Sequence, residues 1–260
     1  MLEPPGAPEG AIAAEELERL RCEFEPLLGL KLDWLSVPES ALPGFEPSQV
    51  AVLINTLLDA ALPQISLLSL EDAENAERLM QLGLRKSPRE IGQREGYPDY
   101  VHRSGKRVEL KGLYVDNSVL EMKRPPTRRE PSARIKENVT LQNVDSANDA
   151  LLVAATQLQV IEDKACPVIV DLGVFSMIEC IVAREIRLQN SPGKWIDKVP
   201  MVLSKKGRSK VRSGIAITDA DYKKDTNFGK LNRIPHPPLV EFLRKHGYFP
   251  PESRKAGPAG

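Results

Sequence analysis

Residues 97–112 contain two short runs of strand-forming residues separated by Ser104-Gly105, and this feature constrains the fold more than any other. Two such runs around a Gly-containing turn predict a β-hairpin. Because side chains alternate along a strand, Glu109 and Lys111 are expected on one face of the second strand, with their apolar neighbours pointing into the core. The pattern therefore predicts a sheet whose rim carries a carboxylate beside an ammonium.

The length of the hairpin loop decides whether Asp99 joins this pair. A two-residue loop would pair Asp99 with Leu110 and leave the two carboxylates on opposite faces. A three-residue loop over 103–105, with Gly105 in the left-handed region and a bulge, pairs Asp99 with Glu109 instead. Glycine tolerates such a backbone. We therefore expect a bulged connection that brings both carboxylates together.

Two neighbouring carboxylates repel each other, and a divalent cation relieves that repulsion. Mg²⁺ prefers oxygen ligands and keeps several waters, so Asp99, Glu109 and a substrate phosphate would suffice to hold it. Such a metal polarises a phosphoryl oxygen and acidifies a bound water. Lys111 would then orient or deprotonate the attacking water or stabilise the phosphorane, helped by a pKa lowered by partial burial near the metal. This chemistry suits phosphodiester hydrolysis.

The segment Pro98-Asp99, nine intervening residues and Glu109-Leu110-Lys111 resembles the signature of PD-(D/E)xK nucleases, and of type II restriction endonucleases in particular. The resemblance implies that Asp99 and Glu109 are metal ligands for Mg²⁺ and that Asp99, Glu109 and Lys111 are catalytic. It also implies an α/β fold with a central mixed β-sheet flanked by helices, as in the restriction-endonuclease core. In restriction enzymes a glutamate from a helix before the motif can join the metal site, and the candidates here are Glu74, Glu90 and Glu95.

A second carboxylate–lysine pair, Glu121 and Lys123, lies on a further predicted strand over 118–123. It has the same alternation, so it competes for the catalytic role. We favour Glu109 and Lys111, because the hairpin fixes their closeness to Asp99.

Periodicity and prolines divide the chain into a mostly helical N-terminal region over 1–85, a nuclease core over 86–250 and a flexible tail over 251–260. The N-terminal region would supply dimer or DNA contacts. The elements expected besides the hairpin are helices over 11–29, 50–62, 70–84 and 176–188, and strands over 150–161, 167–175 and 213–218.

Composition narrows the class and the compartment. An apolar fraction of 41% and a charged fraction of 28% are typical of a globular protein. The three cysteines form no CxxC, which favours buried thiols in a reducing cytoplasm, and three scattered histidines are too few for a zinc site. No signal peptide and no membrane span is expected. We therefore predict a cytoplasmic protein without a membrane partner.

Charge is unevenly distributed along the chain. Residues 1–100 contain 8 Lys and Arg against 18 Asp and Glu, whereas residues 101–260 contain 28 against 18. A basic face on a neutral molecule suits a nucleic-acid binder. Candidates for DNA contacts, in basic or polar stretches, are Arg128, Arg129, Arg134, Lys206, Arg208, Lys210 and Asn227.

The predicted function is Mg²⁺-dependent, site-specific hydrolysis of double-stranded DNA by a homodimer, because two-fold symmetry places one active site on each strand of a palindrome. Two alternatives stay open. One is a structure-specific repair or recombination nuclease similar to a junction resolvase. The other is a non-catalytic DNA-binding protein, although the chain has no recognisable helix-turn-helix or zinc-finger pattern.

Overall fold

A computed structural model gives the fold and describes residues 8–32, 37–61, 77, 82–88, 96–123, 131 and 133–249. Helices and strands are both present in the described chain. The helices are α1 (Ala14–Glu23), α2 (Pro47–Ala61), α3 (Met177–Asn190), α4 (Lys205–Arg212) and α5 (Pro237–Lys245). The strands are β1 (Val37–Pro38), β2 (Leu84–Lys86), β3 (Tyr100–His102), β4 (Arg107–Val115), β5 (Asp149–Ile161), β6 (Lys164–Ser176), β7 (Gly193–Ile196), β8 (Val199–Leu203) and β9 (Tyr222–Lys224).

The main sheet has six strands in the order β1-β6-β5-β4-β3-β2. β4 and β5 run parallel, while the other neighbours in this sheet are antiparallel. Strands β7, β8 and β9 form a separate antiparallel sheet. The chain is therefore of the α/β class, with a mixed sheet flanked by helices, and the two long apolar strands expected from the sequence are confirmed as β5 and β6.

Both faces of the main sheet are covered by apolar side chains. On the first face, Val108 and Leu110 of β4 belong to one buried cluster with residues of α1 and α2. On the second face, Leu113 of β4 belongs to another buried cluster with residues of α3 and α5. Because side chains alternate along β4, Glu109 and Lys111 point to the second face. That face is covered, so Glu109 is only 2% exposed instead of lying at an open rim.

The N-terminal residues contribute to the same sheet as the rest of the chain. Strand β1 pairs with β6, and β2 pairs with β3. Helix α2, predicted over 50–62, lies at Pro47–Ala61, and α1 covers the middle of the helix predicted over 11–29. Helices α1 and α2 build the layer that packs on the first face of the sheet.

The hairpin has the loop that the sequence predicts. Tyr100 pairs with Val108 and Val101 pairs with Arg107, a register that continues to put Asp99 opposite Glu109. Gly105 has φ +86° and its N–H donates to the His102 carbonyl at 2.9 Å, which closes a three-residue connection. A non-glycine residue would be strained at this φ. The predicted three-residue connection and its register are confirmed.

Three other expectations differ from the structure or cannot be compared with it. Residues 117–123 lie outside the strands and form turns and irregular backbone, so the predicted strand over 118–123 is wrong. Residues 213–218 are also irregular, which corrects the strand predicted there. Most of the helix predicted over 70–84 lies outside the described residues, and its last residue, Leu84, begins β2.

The predicted helix over 176–188 is confirmed as α3, Met177–Asn190. Within the described part of the chain, none of the helices is both long and apolar enough to cross a bilayer.

Candidate active site

The structure brings Asp99, Glu109 and Lys111 together at the hairpin. Lys111 Nζ lies 2.6 Å from Glu109 Oε1 and 3.6 Å from Asp99 Oδ2. The Leu110 N–H donates to the same Asp99 Oδ2 at 2.9 Å, which holds Asp99 against β4. The ammonium therefore lies between two carboxylates that would otherwise repel each other.

Burial and charge perturb both partners of the closest pair. Burial raises the pKa of the Glu109 carboxyl, and the attraction of Lys111 only partly offsets this. For Lys111, burial acts to lower the pKa, as the sequence suggested, but the negative charges of Glu109 and Asp99 outweigh burial and raise that pKa overall. Lys111 is therefore a firmly protonated ammonium in this arrangement, and a general-base role would require the charge of a neighbouring metal ion.

The two carboxylate oxygens of Glu109 have different surroundings. Its Oε1 accepts from Lys111, whereas Oε2 is fully buried and has no hydrogen-bond partner among the described residues. A buried polar atom without a partner carries a desolvation cost of roughly 1–3 kcal/mol. Such an oxygen, beside a second carboxylate, is a suitable ligand for a hard cation.

Two carboxylates are sufficient for Mg²⁺ but are few for a metal held by protein ligands alone. In the described ranges, no group of three or more His, Cys, Asp or Glu side chains is arranged to hold a metal ion. The three candidate glutamates from the region before the motif, Glu74, Glu90 and Glu95, lie outside the described residues. The residues present therefore fit a cation that completes its shell with waters and phosphate oxygens.

The connection from β4 to β5 helps to bury the site. Its residues Ile135 and Val139 belong to the apolar cluster on the second face of the sheet. Arg184 of α3, itself fully buried, donates to the Lys136 carbonyl at 3.0 Å and to the Val139 carbonyl at 2.7 Å. The charge of Lys136 also acts to lower the pKa of Glu109. This connection therefore brings a further positive charge near the carboxylates.

Sequence reasoning missed a polar cluster beside the site. The Tyr97 hydroxyl donates to Asp149 Oδ2 at 2.6 Å, and Arg107 Nε lies 2.8 Å from Asp149 Oδ1. Burial, followed by the adjacent negative charge of Asp149, raises the pKa of the Tyr97 phenol, so the hydroxyl keeps its proton. Arg107 shares a strand face with Glu109, so alternation in β4 could have indicated it, whereas nothing local to Tyr97 points to Asp149, 52 residues away.

Three of the residues predicted to contact DNA lie on a helix that packs against the smaller sheet. Lys206, Arg208 and Lys210 belong to α4, a helix that was not expected in this basic stretch. Lys206 and Arg208 are exposed. Arg208 donates to the Leu203 carbonyl at 2.8 Å, and Lys210 pairs with Asp221 at 2.8 Å. The side chain of Lys210 is therefore already occupied by a carboxylate.

Two other predicted DNA contacts, Arg134 and Asn227, lie on the connection before β5 and in the chain after β9, which meet at a backbone bridge. Arg134 is exposed and forms an isolated bridge with Lys230. Asn227 lies in a loop, as predicted, and its backbone N–H donates to Asp225 Oδ1 at 2.9 Å. Arg128 and Arg129 lie outside the described residues. The connection that carries Lys136 thus runs between the carboxylates of Asp99 and Glu109 and the loop residues Asn227 and Lys230.

The competing pair is placed differently. Glu121 and Lys123 are both exposed and lie in irregular backbone, and Lys123 Nζ comes only within 4.0 Å of Glu46 Oε1. Solvated charges of this kind have little effect on each other. The geometry therefore favours Glu109 and Lys111, a buried carboxylate in direct contact with a half-buried lysine, for the catalytic role.

Comparisons with family models, with curated proteins and with solved structures find no match to this chain.

Proposed function

We propose that this chain is a Mg²⁺-dependent endonuclease that hydrolyses phosphodiester bonds in double-stranded DNA at a specific sequence, as type II restriction endonucleases do. The observation that carries the proposal is Lys111 lying between Asp99 and Glu109, with Glu109 Oε2 buried and unpaired within the described residues. A buried carboxylate with a spare oxygen is costly unless a ligand uses it. The mixed sheet flanked by helices is compatible with a restriction-endonuclease-like core.

Each of the three residues has a distinct role in this proposal. Asp99 and Glu109 would hold the cation through carboxylate oxygens. When bound, Mg²⁺ polarises a phosphoryl oxygen and acidifies a bound water. Lys111 would transfer its hydrogen bond from Glu109 Oε1 to a phosphate oxygen and stabilise the negative charge that develops there. Because Lys111 is firmly protonated, charge stabilisation fits it better than proton abstraction.

The proposed DNA surface combines α4 with the loops around it. Exposed Lys206 and Arg208 on α4, and exposed Arg134 on the connection before β5, would neutralise phosphates. Contacts of this kind position an enzyme on DNA without selecting sequence, so base-edge readout would need further side chains, with Asn227 as one candidate. The proposal includes a homodimer, since cutting both strands of a palindrome is simplest with two symmetric sites.

Incubation of the full chain with supercoiled plasmid and Mg²⁺ tests the proposal. Discrete fragments with common ends would support site-specific cleavage, and chelation of divalent metal should stop it. Preferential cutting of branched DNA would support a junction-resolvase-like enzyme instead. Binding without cutting under all metal conditions would favour a non-catalytic DNA-binding protein.

The second carboxylate–lysine pair provides a matched control within the same chain. Lys111→Ala should lower the cleavage rate by about 10²–10³-fold, the range seen when one transition-state donor is removed. Lys123→Ala removes an exposed lysine from the same motif type and should cut at nearly the wild-type rate. The reverse ranking would assign the chemistry to Glu121 and Lys123.

A further inference from the structure

A buried carboxylate of β5 contacts both the strand that carries Glu109 and the segment that carries Asp99. Asp149, at the start of β5, is 0% exposed and pairs in register with Arg107 of β4. Its Oδ1 lies 2.8 Å from Arg107 Nε, and its Oδ2 accepts from the Tyr97 hydroxyl at 2.6 Å and from the Asp145 N–H at 3.0 Å. Arg107 also lies over the Tyr97 ring, 5.5 Å from its centroid. The cluster Tyr97–Arg107–Asp149 is therefore closely connected.

This cluster holds the segment that carries Asp99. Tyr97 lies two residues before Asp99 and is fixed to β5 through Asp149, while Asp99 itself is fixed to β4 through the Leu110 N–H at 2.9 Å. The short segment between them is thus attached at both ends to neighbouring strands. Arg107 lies two residues before Glu109 on the same face of β4. One buried carboxylate therefore contacts the residues two positions before each proposed metal ligand.

We propose that Tyr97 is a positioning residue for the metal site, acting through Asp149 to hold Asp99 opposite Glu109. The inference rests on the proposed function, because it assumes that Asp99 and Glu109 bind a divalent cation. Residues that orient metal ligands without touching the metal change its affinity by about 10–100-fold when they are removed. Loss of the Tyr97 hydroxyl frees one end of the Asp99 segment while the aromatic ring stays in place.

The test measures metal binding directly, with Mn²⁺ as the probe, in the full-length chain. Tyr97→Phe should raise the Mn²⁺ dissociation constant about tenfold. Electron paramagnetic resonance of free and bound Mn²⁺ measures this constant. Plasmid cleavage should then require about tenfold more Mg²⁺ and recover most of its rate at saturating Mg²⁺. Such a shift in metal requirement, with the maximal rate largely kept, separates positioning from a general loss of structure.

Tyr248→Phe is the matched control. The Tyr248 hydroxyl donates to the backbone carbonyl of Tyr114 on β4, so this variant also removes a tyrosine hydrogen bond, but one with a neutral acceptor and without any of the site residues. This variant should bind Mn²⁺ like the wild type. Equal weakening in both variants, or unchanged affinity in Tyr97→Phe, would overturn the inference. Wild-type protein that binds no Mn²⁺ would instead overturn the proposed function, and this inference with it.

Arg107→Lys provides a second route if Tyr97→Phe does not fold. It keeps the positive charge but loses the planar guanidinium that contacts Asp149 and the Tyr97 ring. A severalfold increase in the Mn²⁺ dissociation constant is expected on the same reasoning. Wild-type affinity in this variant would contradict the positioning role.

Discussion

Replacing Lys111 with methionine removes the ammonium that lies 2.6 Å from Glu109 Oε1 and 3.6 Å from Asp99 Oδ2. Methionine preserves much of the side-chain volume, so the main change is electrostatic. Breaking a buried ion pair by removing one partner costs about 3–5 kcal/mol. Because burial already raises the pKa of Glu109, that carboxyl can take up a proton and limit the loss. We therefore expect a decrease of about 3 kcal/mol in the free energy of unfolding at neutral pH in chelator.

A divalent cation should restore most of this loss, because it can replace the missing positive charge between the carboxylates. A ligand present at a hundred times its dissociation constant stabilises the folded state by about 2.7 kcal/mol. Urea unfolding in chelator measures the loss of stability, and urea unfolding in Mg²⁺ or Ca²⁺ measures how much of it the metal restores. The gain from metal should be larger in Lys111→Met than in the wild type, whose own ammonium competes for the same carboxylates.

Lys210→Met is the control for this experiment. Lys210 pairs with the buried carboxylate of Asp221 at 2.8 Å, away from the hairpin. Its loss should also destabilise the fold, but Mg²⁺ should not reverse the effect, because the contact involves a single carboxylate. If Mg²⁺ stabilised the two variants equally, the idea that Asp99 and Glu109 form a cation site would be refuted.

Three further predictions concern the surroundings of the site. Arg184→Met should cost about 2–4 kcal/mol in urea unfolding, because two backbone carbonyls lose a buried charged donor; a loss below about 1 kcal/mol would contradict this. Gly229→Ala should destabilise by at least about 2 kcal/mol, since a Cβ would lie 1.8 Å from the Ile135 carbonyl oxygen, and an unchanged melting temperature would be inconsistent with that contact. Burial lowers the pKa of His236 to about 4, so between pH 6.5 and pH 4 the unfolded chain binds more protons and stability falls as the pH drops. His236→Gln should remove up to about 3 kcal/mol of that acid-dependent loss of stability. The carboxylate that faces the His236 ring is Glu179. If the wild type and His236→Gln lost stability identically between pH 6.5 and pH 4, His236 would not be the titrating group.

The local sequence was sufficient to predict the hairpin and its register. Turn length, Gly105 and the alternation in β4 are properties of neighbouring residues, and they place Asp99 opposite Glu109 without any knowledge of the rest of the chain. The long apolar strands were predictable for the same reason. The predicted strand at 118–123 is wrong because alternation over six residues carries little information when the segment has no strand partner, and none is found among the described residues.

The local sequence could not show that the second face of the sheet would be closed. Glu109 is buried because the connection after β4 and helices α3 and α5 pack on that face, and that closure leaves Oε2 without a partner among the described residues.

What the sequence determined by itself is that Glu109 and Lys111 share one face of a strand and that Asp99, just before the paired strand, lies opposite Glu109, since hairpin geometry depends on neighbours in the chain. Only the tertiary structure decided their environment. Tyr97 meets Asp149 across 52 positions, and Arg184 reaches Lys136 across 48. Burial and long-range pairing set the charge state of a carboxylate or a lysine, and these depend on how distant segments pack.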